Sequence, residues 1–246
     1  MQFLDPDATP YDLRFRLFDV PVRVHPTFWL VTAILGWRAF EQHGFGSWVL
    51  WIGCVFVSIL VHEMGHVLVG RAFGAFGHIV MYGFGGFAIG SSKLPDRWQR
   101  LTVYLAGPAA QFALFALVLT GDGLLGPPAA SAAAEWWQMA MAYLFIVNLF
   151  WAAMNLLPIW PLDGGQISRE LCTWLMPWSG LRVSLAVSLV LAILVGLAAW
   201  RYLGSVFMLL FFGLLAYDSF QMLQHAPPPP SSDDGPWTYR QRPPWE

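Results

Sequence analysis

Apolar residues run along this chain in long blocks separated by short polar interruptions. The blocks predict six helices: about Pro26 to Phe40, Ser47 to Phe73, Arg100 to Gly121, Glu135 to Leu157, Leu181 to Trp200 and Tyr202 to Leu223. A bilayer crossing needs roughly 20 mostly apolar residues, and all but the first block meet that mark. Their interiors are clean. Leu101 to Gly121, Trp136 to Leu162 and Val183 to Trp200 contain no Asp, Glu, Lys or Arg. Trp37, Trp48, Trp98, Trp136, Trp178 and Trp200 fall at or near block ends, where indole rings favour the membrane–water boundary.

The pattern changes between the second and third blocks. Gly74 to Pro95 reads GAFGHIVMYGFGGFAIGSSKLP. Apolar runs broken by glycine predict short strands or a hairpin rather than a helix. Leu13 to Val24 alternates loosely and is also expected to be extended, with Pro21 confining it to an edge or a bend. Ala226 to Glu246 is dense in proline, which predicts disorder or polyproline conformation. The expected organisation is a cytosolic N-terminal segment over 1–24, a transmembrane domain over 25–225 and a Pro-rich tail over 226–246. The fold class is an all-α polytopic membrane protein, with about six transmembrane helices and a small membrane-associated β-hairpin.

Composition agrees. Hydrophobic residues make up 57% of the chain and charged residues 11%, against about a quarter charged in soluble domains. A net charge of -2 without a basic patch argues against nucleic acid as a partner. Cys54 and Cys172 form neither a CxxC pair nor a disulfide framework. Met1 to Arg23 carries Asp5, Asp7, Asp12 and Asp19 and lacks the apolar core of a cleavable signal. Six crossings put both termini on one side. With the N-terminus inside, most of the arginines fall on inner segments and only Arg38 and Arg201 lie outside. The positive-inside rule then places both termini in the cytosol.

The chemistry centres on His62-Glu63-Met64-Gly65-His66 inside the second block. Helix positions i and i+4 share a face, so both imidazoles can reach one cation. Glu63 sits beside them, placed to contact water rather than the metal. Three ionisable groups in one turn of a membrane span are costly and mark function. Catalytic zinc needs a third protein ligand and an open position. Glu135 lies at the far end of its span and Asp218 near the inner end of the sixth. Asp163, in NLLPIWPLDGG after the fourth block, falls on the same half as His62 and His66 and is the expected ligand. Pro158 and Pro161 end the helix there, and Gly164 and Gly165 are expected to permit a sharp bend and close approach. His25, His43, His78 and His225 read as surface or interface residues.

HEMGH in a hydrophobic span, followed about a hundred residues later by NLLPIWPLDGG, resembles the site-2 protease family of intramembrane zinc metalloproteases. Ala106 to Gln111 (AGPAAQ) resembles that family's GPxxN segment, with Gln111 where Asn is usual, which weakens a specific role for the amide. GFGGFA resembles its glycine-containing membrane-associated strands. The resemblance covers roughly residues 13–223. It implies one Zn2+ held by His62, His66 and Asp163, with Glu63 as the base that takes a proton from water. It places Asn155 near the active site, in reach of the substrate backbone or the oxyanion. Asn148, seven residues earlier on roughly the same face, contacts substrate or joins two helices. The implied partner is a transmembrane protein substrate such as a single-pass regulator, in the lipid bilayer of the cell membrane, with the site toward the cytosol. Two other readings use the same residues: a zinc transporter, and a proteolytically inactive relative that binds membrane clients.

Overall fold

The structure, a computed structural model, describes residues 7–83, 85–126 and 132–226. The tail beyond Ala226 lies outside the described residues. The chain forms two compact units, Met1–Met154 and Asn155–Glu246.

The first unit starts with strands β1 (Leu13–Leu17) and β2 (Val20–Val24), then helices α1 (Pro26–Leu35) and α2 (Trp37–Ala72). Strands β3 (His78–Tyr82) and β4 (Gly85–Ile89) follow, then helices α3 (Arg97–Leu125) and α4 (Ala132–Asn155). The strands form one sheet in the order β1-β2-β3-β4. β1 pairs antiparallel with β2, β2 parallel with β3, and β3 antiparallel with β4. The expected hairpin is therefore half of a four-stranded sheet. Pro21 does not sit on an edge: β2 is an interior strand. It is tolerated because the β2–β3 register begins at Val22, after the proline, so no N–H is needed on that side.

Alternation along β2 sets the core. Val20, Val22 and Val24 are buried and join Ile79 and Met81 of β3, Phe28 of α1, and Val55, Ile59 and Val67 of α2 in one cluster. The other face of the sheet carries Arg14, Arg16 and Arg23, whose alternation with Phe15 and Val22 follows the two-residue strand period.

Among the described residues, five helices are long and apolar enough to cross a membrane: Trp37–Ala72, Arg97–Gly121, Ala133–Asn155, Gly180–Leu203 and Val206–His225. The expected first crossing is not one of them. α1 has 10 residues, about 15 Å of helix against a hydrocarbon core of about 30 Å. Gly44, at φ 81° and ψ -173°, breaks α2 internally. The chain reverses there: Ser47 Oγ donates to Ala39 O at 3.2 Å and Trp48 Nε1 to Ala33 O at 2.8 Å. Residues 26–43 thus make a broken leg folded back on the long arm of α2. Only glycine adopts this φ without strain.

In the second unit, α5 (Asp163–Leu175), α6 (Gly180–Leu203) and α7 (Val206–His225) follow one another. α5 is a helix that hydrophobic blocks did not reveal. It begins at Asp163, so Gly164 and Gly165 lie within its first turn and make no bend. Their smallness is what counts: a Cβ on Gly164 would strike Leu156 O, and one on Gly165 would come 2.5 Å from Ile159 O. The segment before α5 is pinned by Trp160 N–H donating to Ser188 Oγ at 2.7 Å, and Ser188 and Ser219 share a hydroxyl bond of 2.7 Å between α6 and α7.

Candidate metal centre

α2 carries His62, Glu63 and His66 on a buried turn, exposed by only 2%, 4% and 5%. Burial this deep demands partners, and α3 supplies them. His62 Nδ1 lies 3.0 Å from Gln111 Oε1, and His66 Nδ1 lies 2.7 Å from Val103 O. A backbone carbonyl only accepts, so His66 carries its proton on Nδ1, and the Gln111 oxygen asks the same of His62. Both Nε2 atoms are then acceptors, and they face one another at 3.1 Å. Two lone pairs that close repel unless something positive lies between them. Tetrahedral zinc with Zn–N of 2.0–2.1 Å would hold two nitrogens about 3.3 Å apart, so the pair fits. Histidine ligands that donate their second N–H to a carbonyl are the usual support for such a metal.

The space for an ion is kept by a missing side chain. A Cβ on Gly107 would strike His66 Nε2 and lie 2.8 Å from His62 Nε2. Val103, Gly107 and Gln111 are four residues apart and so share one face of α3. Gly65 lets that face approach: a Cβ there would come 2.5 Å from Ala106 O. Gln111, whose amide the sequence discounts, is thus fully buried and bonded to a metal-ligand candidate. The spacing 103-107-111 opposite 62-66 is the signal that would have found it.

Glu63 points elsewhere. A Cβ on Gly86 of β4 would lie 2.5 Å from Glu63 Cγ and 2.7 Å from its Oε1, so the carboxylate packs directly under an edge strand. Trp151 of α4 closes on Gly85 from another side, at 3.1 Å from the position of a Cβ. Gly85 has φ 131°, again a glycine conformation. Phe84 lies outside the described residues.

Asn148 is fully buried. Its Nδ2 donates to Ser58 Oγ of α2 at 3.1 Å and to Leu144 O at 2.8 Å, which joins α4 to α2. Asn155 ends α4 and is 9% exposed. Asp163 is half-buried at the first position of α5, in the second unit. Trp160–Pro161, just ahead of it, is a cis peptide.

This geometry agrees with the comparisons. The sequence matches Peptidase family M50 over residues 50–125 and 121–197, which include the HExxH turn, AGPAAQ and the PLDGG segment. The chain belongs to that peptidase family. It is 30% identical over 167 residues to the putative zinc metalloprotease sll0528 of Synechocystis sp., covering 63% of this chain and 42% of that protein. It is 28% identical over 169 residues to the zinc metalloprotease MJ0392 of Methanocaldococcus jannaschii, covering 65% and 45%. With the putative zinc metalloprotease Rip3 of Mycobacterium tuberculosis the identity is 35% over 132 residues, covering 50% and 31%. The chain therefore spans less than half the length of these relatives. Its fold is similar to that of the site-2 protease from Methanocaldococcus jannaschii, at a TM-score of 0.59 and 22% identity, covering 87% of this chain and 95% of that one.

Proposed function

We propose that this chain is an intramembrane zinc metalloprotease that hydrolyses peptide bonds within or near transmembrane segments of membrane proteins. The observation that carries the reading is the pair of histidine Nε2 atoms, 3.1 Å apart over a glycine, with a buried glutamate next to them in sequence. His62, His66 and Asp163 are the side chains that would hold the zinc, as histidine nitrogens and a carboxylate oxygen suit that ion. Bound zinc supplies a Lewis acid and brings the pKa of water to about 7.

The chain's own residues do the rest. Glu63 takes the proton from the attacking water and passes it to the leaving amine. Gln111 and the Val103 carbonyl fix the two imidazoles in the tautomer that presents Nε2. Asn155 donates to the substrate backbone or to the developing oxyanion. Asn148 serves the scaffold, since its amide joins two helices. β4 is an edge strand, and a substrate segment that unwinds can pair with it by strand addition. Such pairing brings a peptide bond to the strand that packs on Glu63.

The substrate class is a single-pass membrane regulator. With the folded-back leg of about Pro26 to Phe40 counted as a short first crossing, both termini lie in the cytosol and the site opens toward that side. A zinc transporter needs ligands from several helices near the midplane, and a glutamate beside the two histidines is superfluous for coordination alone. The test is to purify the chain in detergent and measure bound zinc and cleavage of a transmembrane model substrate. Glu63→Gln is expected to keep zinc and lose ~10²–10⁴-fold in rate. A parent protein without stoichiometric metal sinks the reading. A parent that binds zinc and cuts nothing shifts it to client binding or transport.

A further inference from the structure

The sheet face turned away from α2 has chemistry that peptide hydrolysis does not use. Arg14, Arg16, Arg23 and His78 line a cavity of about 660 Å³. Arg14 and Arg23 stand directly opposite each other in the β1–β2 register, an arrangement of like charges that weakens a sheet. One carboxylate oxygen, Asp12 Oδ2, serves both guanidinium groups, at 3.5 Å from each. Asp7 is the acidic residue of the lining. Among the described residues of the lining, three arginines and an imidazole stand beside Asp7, with Asp12 bridging Arg14 and Arg23, so the surface is rich in donors.

The surroundings say what kind of anion. Tyr11, Phe18 and Phe76 are 83%, 75% and 91% exposed, and they flank the strands that carry the cationic groups. Phe18 is held out deliberately. It and Asp19 form the β1–β2 turn with φ of 49° and 58°, a conformation costly for a bulky side chain. Arg71, in the last turn of α2, clamps the turn by donating to Phe18 O at 3.1 Å and Asp19 O at 2.8 Å. The turn is thereby fixed at the level where the long apolar helix ends, which is where a bilayer meets water. Aromatic rings beside guanidinium groups at that depth suit a lipid headgroup: the rings settle at the interface and the cations meet phosphate.

We propose that the outer face of the β1–β2–β3 sheet is a binding site for the phosphate of an acidic phospholipid headgroup, with Arg14, Arg16, Arg23 and His78 as the anion ligands and Phe18 as the interfacial anchor. The site is separate from the buried face that packs on α2, so its occupancy is measurable without reference to cleavage.

The test uses the full chain in a neutral detergent, titrated with short-chain phosphatidylglycerol, with phosphatidylcholine of equal chain length, and with inorganic phosphate. Binding is read from tryptophan fluorescence and from the rise in melting temperature. Phosphatidylglycerol is expected to bind at least ~10-fold more tightly than phosphatidylcholine, and Arg14→Gln/Arg16→Gln to weaken it by about 30-fold. Arg16→Gln alone, at an exposed position, is expected to weaken it by about 5-fold without affecting folding. Arg201→Gln, on α6, leaves it unchanged. Equal affinity for the two lipids, or an unchanged double variant, overturns the site. A loss with Arg201→Gln as large as with the double variant reduces the effect to net charge and also overturns it. Inorganic phosphate producing the full shift assigns the cavity to a free anion and overturns the lipid reading.

Discussion

The two edges of the sheet have opposite chemistries. β4 reads Gly85-Gly86-Phe87-Ala88-Ile89 and carries no charge. β1 reads Leu13-Arg14-Phe15-Arg16-Leu17 and puts a guanidinium at every second position. An exposed strand edge invites another strand, and charged side chains are the common way to prevent that. The arginines close the β1 edge to pairing, while β4 stays open and presses its glycine onto Glu63. On the proposed reading, one sheet would offer one edge to a peptide and withhold the other. In β4 charge is absent throughout, and bulk is absent at Gly85 and Gly86, where the strand meets Trp151 and Glu63.

The sharpest way to break this comparison is to add bulk at β4. Gly86→Val forces its side chain into the Glu63 carboxylate, and cleavage is expected to fall ~100-fold, the scale of a misplaced catalytic group. Zinc content, measured in parallel, stays at one per chain. Loss of the metal with the activity would mean that β4 supports the ligands rather than the base. Next in size is Ala88→Pro, which removes one donor from the open side of β4, since Phe87 pairs inward with Val80 of β3. A transmembrane substrate should be cut about 10-fold more slowly, as for one lost hydrogen bond, again with zinc retained. Unchanged cleavage would rule out pairing at this edge. The same substitution on the other edge, Arg16→Pro, should leave cleavage in detergent within about twofold. A loss there as large as at Ala88 would remove the distinction between the edges.

The smallest effect concerns Asp12, which steadies the β1 edge. Burial works against its charge, but hydrogen bonds from the Thr9 hydroxyl and N–H, from Arg14, and the nearby charge of Arg23 outweigh it and hold its carboxyl below the ordinary value of 3.8. A depressed pKa in the folded state stabilises the fold above the unfolded value, and that contribution is lost as pH falls through the folded one. Asp12→Asn should therefore melt slightly below the parent near neutral pH, and the gap should close as pH drops below 3.8. A gap that persists in acid would assign the effect to packing rather than charge.

What was legible in the sequence was local. The HExxH turn needs only helical spacing, and glycine-punctuated apolar runs needed only the strand period, so both appear where the chain predicts them. The long spans follow from the length of each apolar block. The parts that were missed depend on neighbours distant in sequence. Nothing local tells β2 to pair parallel with β3, so Pro21 reads as an edge residue although the strand is interior. α5 carries Asp163, Arg169 and Glu170 among its apolar residues, so a search for apolar blocks passes over it. Gly164 and Gly165 suggest a bend, yet they serve contact with carbonyls of the preceding segment. Gln111 gains its meaning only when α3 lies across His62. Asn148 is the intermediate case: its position on α4 was clear, but only Ser58 opposite it gives its Nδ2 a partner on α2.

The parallel pairing of β2 with β3 also governs the order in which the molecule can be made. Antiparallel neighbours can be joined by a tight turn, but parallel neighbours require a crossover, and here the crossover comprises α1 and α2. During synthesis the valine face of β2 has only β1 beside it until α2 has been delivered into the membrane and β3 has emerged. The sheet is therefore completed only after the helix that bears the histidines is in place. A nascent chain stalled in insertion lacks the ladder that brings β4 to Glu63, so an incompletely inserted protein also leaves that buried carboxylate uncovered.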